Sequence, residues 1–129
     1  METRYRILVV DDEDAILFSY KKLLQGTIVD VNGCASIEEA FTLIKTKRFS
    51  AIITDLRLSH SESNEGLEIL QYIKGHELTT PVIVLTGYGS DEIKDKALAL
   101  GAYGYLDKPV NITEIVKILK EIGIPAGEF

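Results

Sequence analysis

A run of four acids near the start of the chain directly follows an apolar segment. The stretch reads ILVVDDED, and its acids are Asp11, Asp12, Glu13 and Asp14. Like charges repel one another, and carboxylates lose hydration energy in apolar surroundings. The run therefore needs either a positive partner or the N-terminus of a helix, whose dipole favours each acid by about 0.3–1 kcal/mol. A hard divalent cation such as Mg²⁺, which prefers oxygen ligands, would be such a partner.

Polar residues also follow other apolar segments that have the length of a strand. Asp55 comes after AIIT, Thr86 ends PVIVLT, and Lys108 comes shortly after AYGYL. If these segments are parallel strands, their carboxyl ends meet at one edge of the sheet, where such sheets bind ligands. Asp11, Asp12 and Asp55 would then place three carboxylates beside a hydroxyl and an ammonium. The pattern predicts a Mg²⁺ site at this edge.

Each of these residues taken alone also has an ordinary structural interpretation. Glu13 and Asp14 are interpreted as acids of a helix N-terminus, and Asp55 alone could cap the next element. Thr86 alone is more often structural, and Lys108 alone is usually a solvated surface charge. Their common placement favours the functional interpretation, because unrelated surface residues would not all collect at one edge.

Short apolar segments alternate with helical hydrophobic periods along the whole chain. The predicted strands cover residues 6–10, 27–31, 51–54, 81–86 and 102–106. The first helical stripe comprises Ile16, Tyr20, Leu23 and Leu24. Ser36 and Glu39 form a capping box ahead of the second helix, and Asn111 begins the last one. Nearly continuous apolar strands indicate burial on both faces, and so an α/β fold of the (βα)5 type with a parallel sheet.

The composition is that of one globular domain. The 129 residues are 46% hydrophobic and carry a net charge of −6. This charge argues against binding of nucleic acid by the domain, because such binding requires clustered Lys and Arg. No apolar run reaches the roughly 20 residues of a membrane span, and we see no signal peptide. Cys34 is the one cysteine, which favours a buried thiol in the reducing cytoplasm. We assign residues 1–123 to the domain and residues 124–129 to a C-terminal tail, a stub of a longer chain or an added segment.

Four motifs in this order resemble the receiver domains of two-component response regulators: VVDD, TDL, LTGYG and YLDKP. The resemblance is chemotaxis-regulator-like, covers residues 5–123 and implies a flavodoxin-like sheet of order 2-1-3-4-5. It implies that Asp55 accepts a phosphoryl group and that Lys108 pairs with the phosphate. The remaining implied ligands of Mg²⁺, besides Asp55, are Asp11, Asp12 and the backbone carbonyl of Arg57.

The resemblance further implies a switch and signalling partners. Thr86 matches the switch hydroxyl, Tyr105 matches the switch aromatic, and a cis peptide is expected between Lys108 and Pro109. A sensor histidine kinase or phosphotransfer protein would donate the phosphoryl group, and an output domain or partner protein would respond. The face of the fourth helix, fifth strand and fifth helix could also form a homodimer. The domain would be a phosphoacceptor rather than an enzyme, although it would assist its own phosphotransfer and autodephosphorylation.

The chain departs from the family's common pattern after the acceptor. The family often reads D-x-x-M-P-x-M-D-G, whereas this loop reads DLRLSHSESNEG, lacks the proline and is longer before Gly66. The polar residues from Ser59 to Glu65 predict the most mobile internal segment. Arg57 and Tyr88 follow the acceptor and the switch hydroxyl by two positions and are bulky. We expect both side chains to obstruct an attacking water and to slow the loss of phosphate.

Three other functions fit parts of the pattern. An aspartate phosphatase of the haloacid dehalogenase type would read D-x-D-G-T after its first strand, whereas DEDAI lacks the Gly-Thr. A flavodoxin-like flavin carrier would need a phosphate loop rich in Ser, Thr and Gly, and the acidic DDED would repel the phosphate. A structural pseudo-receiver should have lost at least one residue of the acid edge, and none is missing. This edge comprises Asp11, Asp12, Asp55, Thr86 and Lys108.

Overall fold

Five parallel strands form one sheet with helices on both sides. The computed structural model describes residues 3–57, 65–87 and 89–129. The strands are β1 (Tyr5–Val10), β2 (Val29–Cys34), β3 (Ala51–Asp55), β4 (Val82–Thr86) and β5 (Gly104–Asp107). The helices are α1 (Asp14–Leu24), α2 (Ile37–Thr46), α3 (Gly66–Gly75), α4 (Asp91–Ala99) and α5 (Ile112–Ile122). The strand order is β2-β1-β3-β4-β5, which confirms the predicted (βα)5 architecture.

The sheet is buried on both faces, as its apolar strands predict. Along β1, Leu8 and Val10 point into a core that α2, α3 and α4 cover, whereas Ile7 and Val9 point into a second core under α1 and α5. The alternation follows from the two-residue period of a strand. All four side chains are at most 2% exposed. The packing on both faces therefore fixes the position of the acids that follow β1.

Side-chain caps begin three of the helices. The Ser36 hydroxyl accepts a hydrogen bond of 3.2 Å from the Glu39 N–H, and the Asn111 side chain accepts one of 3.0 Å from the Thr113 N–H. Both caps agree with the sequence predictions, because a side-chain oxygen satisfies an N–H that has no partner within the helix. Ser90 caps α4 in the same way.

The second strand lies further along the chain than predicted. The prediction of 27–31 is wrong at both ends, because β2 runs from Val29 to Cys34. Thr27 lies in the preceding turn, where its N–H donates to the Glu128 carbonyl at 2.9 Å. A contact with the end of the chain thus replaces the strand pairing that the alternating pattern favoured.

Two further predictions need correction. The predicted fifth strand, 102–106, starts too early, because the Ala102 N–H donates to the Ala97 carbonyl at 3.0 Å and closes the end of α4, so that β5 begins later. Leu23, predicted on the buried side of α1, is 48% exposed, whereas Leu24 is fully buried. Adjacent residues of a helix point about 100° apart, and in α1 this turn directs Leu24 toward the core and Leu23 toward solvent.

The residues after α5 pack against the domain. Gly123 adopts a left-handed conformation with φ of 98°, and the chain then turns back, so that Ile124 is 1% and Ala126 2% exposed. The Gly127 N–H donates to the Leu24 carbonyl at 2.9 Å. The division of the chain at residue 123 stays a prediction, but residues 124–128 contribute to the second core and to the hydrogen bonding of α1.

Two sequence predictions concern residues outside the described ranges. They are the mobility of Ser59–Glu65, of which only Glu65 is described, and the place of Tyr88.

Cys34 is 3% exposed, and burial raises the pKa of its thiol to about 12, as expected of a core residue. Across the described part of the chain, no helix combines the length and the apolar character needed to cross a membrane.

Candidate functional site

Asp11 joins the end of β1 to the start of α1. Its backbone N–H donates to the Cys34 carbonyl at 3.0 Å, and its Oδ1 atom accepts a hydrogen bond of 2.9 Å from the Glu13 N–H. The residue is only 2% exposed. Glu13 is the N-cap residue and Asp14 lies in the first turn of α1, which agrees with their interpretation as helix acids. Asp11 therefore has one carboxylate oxygen engaged with the helix start and the other available to the site.

Asp55 ends the central strand β3 and is 9% exposed. Gly66, the first residue of α3, lies directly against it: a Cβ atom there would be 2.5 Å from the Asp55 carbonyl oxygen and 2.9 Å from the Leu56 Cα atom. The Gly66 N–H also donates to the Leu56 carbonyl at 2.9 Å. Only glycine permits this close approach. The sequence interpretation gave Gly66 no role, although a glycine opening a helix was the signal that could have indicated one.

Lys108 bridges the two buried acids. Its Nζ atom lies 3.0 Å from Asp55 Oδ2 and 3.2 Å from Asp11 Oδ2. The Lys108 N–H donates to the Thr86 carbonyl at 2.8 Å, which fixes the start of the loop after β5. The peptide between Lys108 and Pro109 is cis, and this expectation from the family resemblance is confirmed. One ammonium group thus holds together carboxylates that come from two different strands.

The pKa shifts at the site follow from burial and from this bridge. Burial raises the pKa of Asp55, and the hydrogen bond and charge of Lys108 offset the rise only in part, while the charge of Asp11 adds to it. Burial by itself would lower the pKa of Lys108, but the hydrogen bond and charge of Asp55 and the charge of Asp11 outweigh it, so the pKa is raised. The site has more negative charge than its one lysine neutralises.

The arrangement of the acids fits a hard divalent cation. Asp11, Asp12 and Asp55 each offer an oxygen, and these three atoms lie within 4.8 Å of one another. Carboxylate oxygens are the ligands that Mg²⁺ prefers, and a cation would relieve the excess of negative charge. Arg57 is half-buried beside them, and its backbone N–H donates to the Asp55 carboxylate. The role of the Arg57 carbonyl as a ligand stays a prediction.

Thr86 and Tyr105 approach each other around Gly89. Thr86, at the end of β4, is fully buried, and Tyr105 lies on the neighbouring strand β5, where Val84 is its ladder partner. A Cβ atom on Gly89 would clash with the Tyr105 hydroxyl and lie 2.9 Å from Thr86 Cγ2. Gly89 therefore leaves the space that the tyrosine occupies, a role that the sequence interpretation missed.

Tyr105 is turned inward in this structure. The residue is half-buried, and its hydroxyl is buried with no hydrogen-bond partner among the described residues. Burial, together with the charge of Asp107, raises the pKa of this phenol. An unsatisfied buried hydroxyl costs about 1–3 kcal/mol. The inward position of Tyr105 is therefore not strongly held by polar contacts.

The sequence matches the family model described as "Response regulator receiver domain" over residues 7–120. An NtrX-like response regulator of Rickettsia bellii is 35% identical over 114 residues, which are 88% of this chain and 24% of that protein. The chain thus spans about a quarter of the length of this relative. A CheY-like receiver domain protein of Methanospirillum hungatei has a TM-score of 0.81 and 32% identity, with 91% of each chain covered.

A beryllofluoride-activated NtrC4 receiver domain, solved as a dimer, has a TM-score of 0.77 and 29% identity, with 91% of this chain and 94% of that chain covered. The family model extends over most of the chain, and the fold and the motifs agree with it. The phosphatase, flavin-carrier and pseudo-receiver alternatives have no support in these similarities. The chain belongs to the receiver domains of two-component response regulators, which act in phosphorylation-dependent signalling.

Proposed function

We propose that Asp55 is the residue that accepts the phosphoryl group, from a phosphohistidine of a sensor kinase or phosphotransfer protein. The observation that carries the proposal is the position of its carboxylate, at the end of the central strand and 3.0 Å from the Lys108 ammonium. Asp11 is the other buried acid, but it is only 2% exposed, against 9% for Asp55. Asp55 is therefore the acid best placed to act as the nucleophile.

The transfer requires little covalent chemistry from the protein. An Asp55 carboxylate oxygen forms the new P–O bond while the P–N bond to the histidine breaks, and the electron pair of that bond returns to the imidazole ring. Lys108 pairs with a phosphoryl oxygen and neutralises part of its charge. The carboxylates raise the pKa of Lys108, which keeps its ammonium group protonated during transfer.

Asp11, Asp12 and Asp55 would hold Mg²⁺, with the backbone carbonyl of Arg57 as a further ligand. The support is the set of three carboxylate oxygens within 4.8 Å of one another. When bound, Mg²⁺ would neutralise charge on the phosphoryl oxygens. Asp12 is half-buried at the rim of the site, where its carboxylate would contribute to metal binding without contacting the phosphorus.

Thr86 and Tyr105 would form the switch. Phosphoryl oxygens offer the Thr86 hydroxyl a charge-assisted hydrogen bond, which is stronger than a neutral one. Movement of Thr86 toward the phosphoryl group would change the space beside Gly89 that Tyr105 shares with it, and the face of α4, β5 and α5 would change with the tyrosine. That face would then contact an output domain, a partner protein or a second copy of the chain.

Acetyl phosphate with Mg²⁺, followed by intact mass, tests the phosphoacceptor. The wild type should gain the mass of one phosphoryl group, and Asp55→Asn should gain none while it keeps its fold. Asp95→Asn, which removes an exposed acid from α4, is the matched control and should be phosphorylated like the wild type. Phosphorylation of Asp55→Asn, or a phosphopeptide that contains Asp11 or Asp12 instead, would show that the assignment is wrong.

The lifetime of the phosphorylated state would depend in part on Arg57. Its backbone N–H contacts the Asp55 carboxylate, so the residue lies beside the acid that would carry the phosphoryl group. Arg57→Asn should lose phosphate faster than the wild type with Mg²⁺ present, because a shorter side chain obstructs less and an amide can orient water. Equal rates would remove Arg57 from this role.

The proposed setting of these reactions is the cytoplasm, in keeping with the single buried thiol.

A further inference from the structure

A cavity at the opposite edge of the sheet collects most of the chain's arginines. Its volume is about 320 Å³, and its walls come from the start of β1 and from the segment before β3. The lining residues are Thr3, Arg4, Tyr5, Arg6, Arg48, Phe49 and Ser50. The chain contains four arginines, and three of them line this cavity. Such a concentration is unexpected on a domain with a net charge of −6.

Arg6 is the most constrained of the three. The residue is half-buried, and its Nε atom is buried with no hydrogen-bond partner among the described residues. Its Nη1 atom makes one long contact, of 3.5 Å, with the Arg48 carbonyl. A guanidinium has five donors, and a desolvated donor without an acceptor is costly. The side chain therefore has hydrogen-bonding capacity that the protein itself does not use.

No acid of the described residues pairs with these three arginines. Asp30 is the ladder partner of Arg6 across β1 and β2, yet the ion pairs found between described residues include neither side chain. A neighbouring cavity of about 390 Å³ shares Arg48 and adds Lys47, with Glu77 as its one acid. The side chains that line the two cavities therefore carry a positive net charge.

The remaining walls suit a compact ligand with several acceptor oxygens. The Ser50 Oγ atom accepts a hydrogen bond of 3.1 Å from the Arg6 N–H, so its own proton is left to be donated. Tyr5 is half-buried and Phe49 is 8% exposed, and together they give the cavity an apolar side. One guanidinium can pair with two oxygens of a carboxylate or of a phosphate, and a diphosphate offers enough oxygens for several arginines at once.

We propose that this cavity binds a multivalent phosphate anion, of the pyrophosphate or nucleoside diphosphate class. Arg6 and Arg48 would each contact phosphate oxygens, Arg4 would supply further positive charge from the surface, and Ser50 would donate its hydroxyl proton. The site lies at the amino ends of β1 and β3, away from Asp55, and does not depend on the proposed phosphotransfer. A nucleic-acid backbone fits less well, since the rest of the domain is acidic and would repel an extended polyanion.

Titration of the whole chain with pyrophosphate, followed by amide chemical shifts, tests the proposal. Mg²⁺ is left out, EDTA is added and sodium chloride keeps the ionic strength constant, so the acid edge does not recruit the ligand through a metal. Saturable shifts are expected at residues 4–6 and 48–50. Arg48→Gln and Arg6→Gln should weaken binding at least tenfold, whereas Lys117→Gln, which removes the same charge from the exposed face of α5, should leave it unchanged.

Two outcomes would overturn the site: shifts that do not saturate, and weakening in Lys117→Gln as large as in Arg48→Gln. Arg48 is exposed, so its variant decides the matter if Arg6→Gln does not fold. A parallel titration with ADP separates the two sources of phosphate. Tighter binding of ADP than of pyrophosphate would identify a nucleotide ligand, and equal binding would identify the phosphate groups alone as the recognised chemistry.

Discussion

Two regions at opposite ends of the sheet differ in their content of buried charge. At the carboxyl edge, Asp11 and Asp55 share one ammonium group, and Asp12 adds a third carboxylate. At the amino edge, residues 124–128, which we call the C-terminal clasp, close the domain with buried apolar side chains and backbone hydrogen bonds. The acids of the first edge are incompletely compensated, whereas the clasp, unlike the arginines at the same amino edge, consists of apolar side chains and hydrogen-bonded backbone.

The difference shows where this fold tolerates electrostatic strain. A functional site can keep repelling acids only when the surrounding structure holds them in place. The clasp helps to provide that support, because it connects the end of α5 to the end of α1 through the Gly127 N–H and the Leu24 carbonyl, 2.9 Å apart. Its geometry is specific: a Cβ atom on Gly26 would lie 2.5 Å from the Glu128 carbonyl oxygen. The clasp should therefore raise the free energy of unfolding, and the repulsion at the acid edge should lower it.

The largest effect is expected at the clasp. Ile124 is 1% exposed, and Ile124→Ala should lower the free energy of unfolding by about 2–4 kcal/mol, since it removes buried methyl groups and leaves a cavity. Urea denaturation measures this change. Phe129→Ala is the control: that side chain is 90% exposed, so its removal should have little effect. A loss of similar size in both variants would mean that the clasp is not a distinct stabilising element.

A smaller effect is expected when the acid edge loses its cation. Lys108→Met, measured without Mg²⁺, should lower the free energy of unfolding by roughly 1–3 kcal/mol, because Asp11 and Asp55 are left buried without a positive partner. Added Mg²⁺ should recover part of this loss. Lys117→Met removes an exposed ammonium from α5 and should behave like the wild type. If Lys108→Met is as stable as the wild type without metal, the bridge does not compensate the acids.

The cost of ionised Asp55 should appear in the dependence of stability on pH. Burial raises the pKa of this carboxyl in the folded state above its ordinary value of 3.8. Just above that value the folded protein binds more protons than the unfolded chain, so the contribution of Asp55 to stability falls as the pH rises through the folded pKa. In EDTA, Asp55→Asn should lack this decline, and its stability advantage over the wild type should grow between acidic and neutral pH. Parallel curves for the two proteins would contradict the prediction.

The smallest effect is expected at the rim of the acid edge. Asp12→Asn without Mg²⁺ should raise the free energy of unfolding by at most about 1 kcal/mol, because it relieves the repulsion between the partly exposed Asp12 and the two buried acids. The same variant should bind Mg²⁺ more weakly, as isothermal titration calorimetry would measure. Magnesium affinity equal to that of the wild type would remove Asp12 from the metal site. The wild type itself should remain folded when EDTA removes the metal, since its cores do not depend on it.

The strands and helix caps can be predicted from the sequence because they depend on residues that are close together in the chain. Continuous apolar runs such as residues 6–10 have the length and composition of buried strands, and the predicted β1 agrees with the observed strand to within one residue. The caps at Ser36 and Asn111 depend on neighbours within three positions. Asp55 and Lys108 could be grouped from their positions in the chain, because strand ends in a parallel sheet share an edge. The roles of the grouped residues remain predictions that the experiments above test.

The tertiary structure decided whatever depends on contacts between distant parts of the chain. The local sequence around Thr27 favours a strand, but its N–H donates to the distant Glu128 carbonyl instead. The need for glycine at position 66 arises only from the close contact of α3 with the end of β3. Arg6 and Arg48 are 42 positions apart, and nothing in their local sequence indicates a shared cavity. The amino-acid sequence alone thus determined the elements and the edge at which the acids collect, because those follow from periodicity and strand direction. Which atoms meet, and which buried groups lack a partner, was determined only by packing.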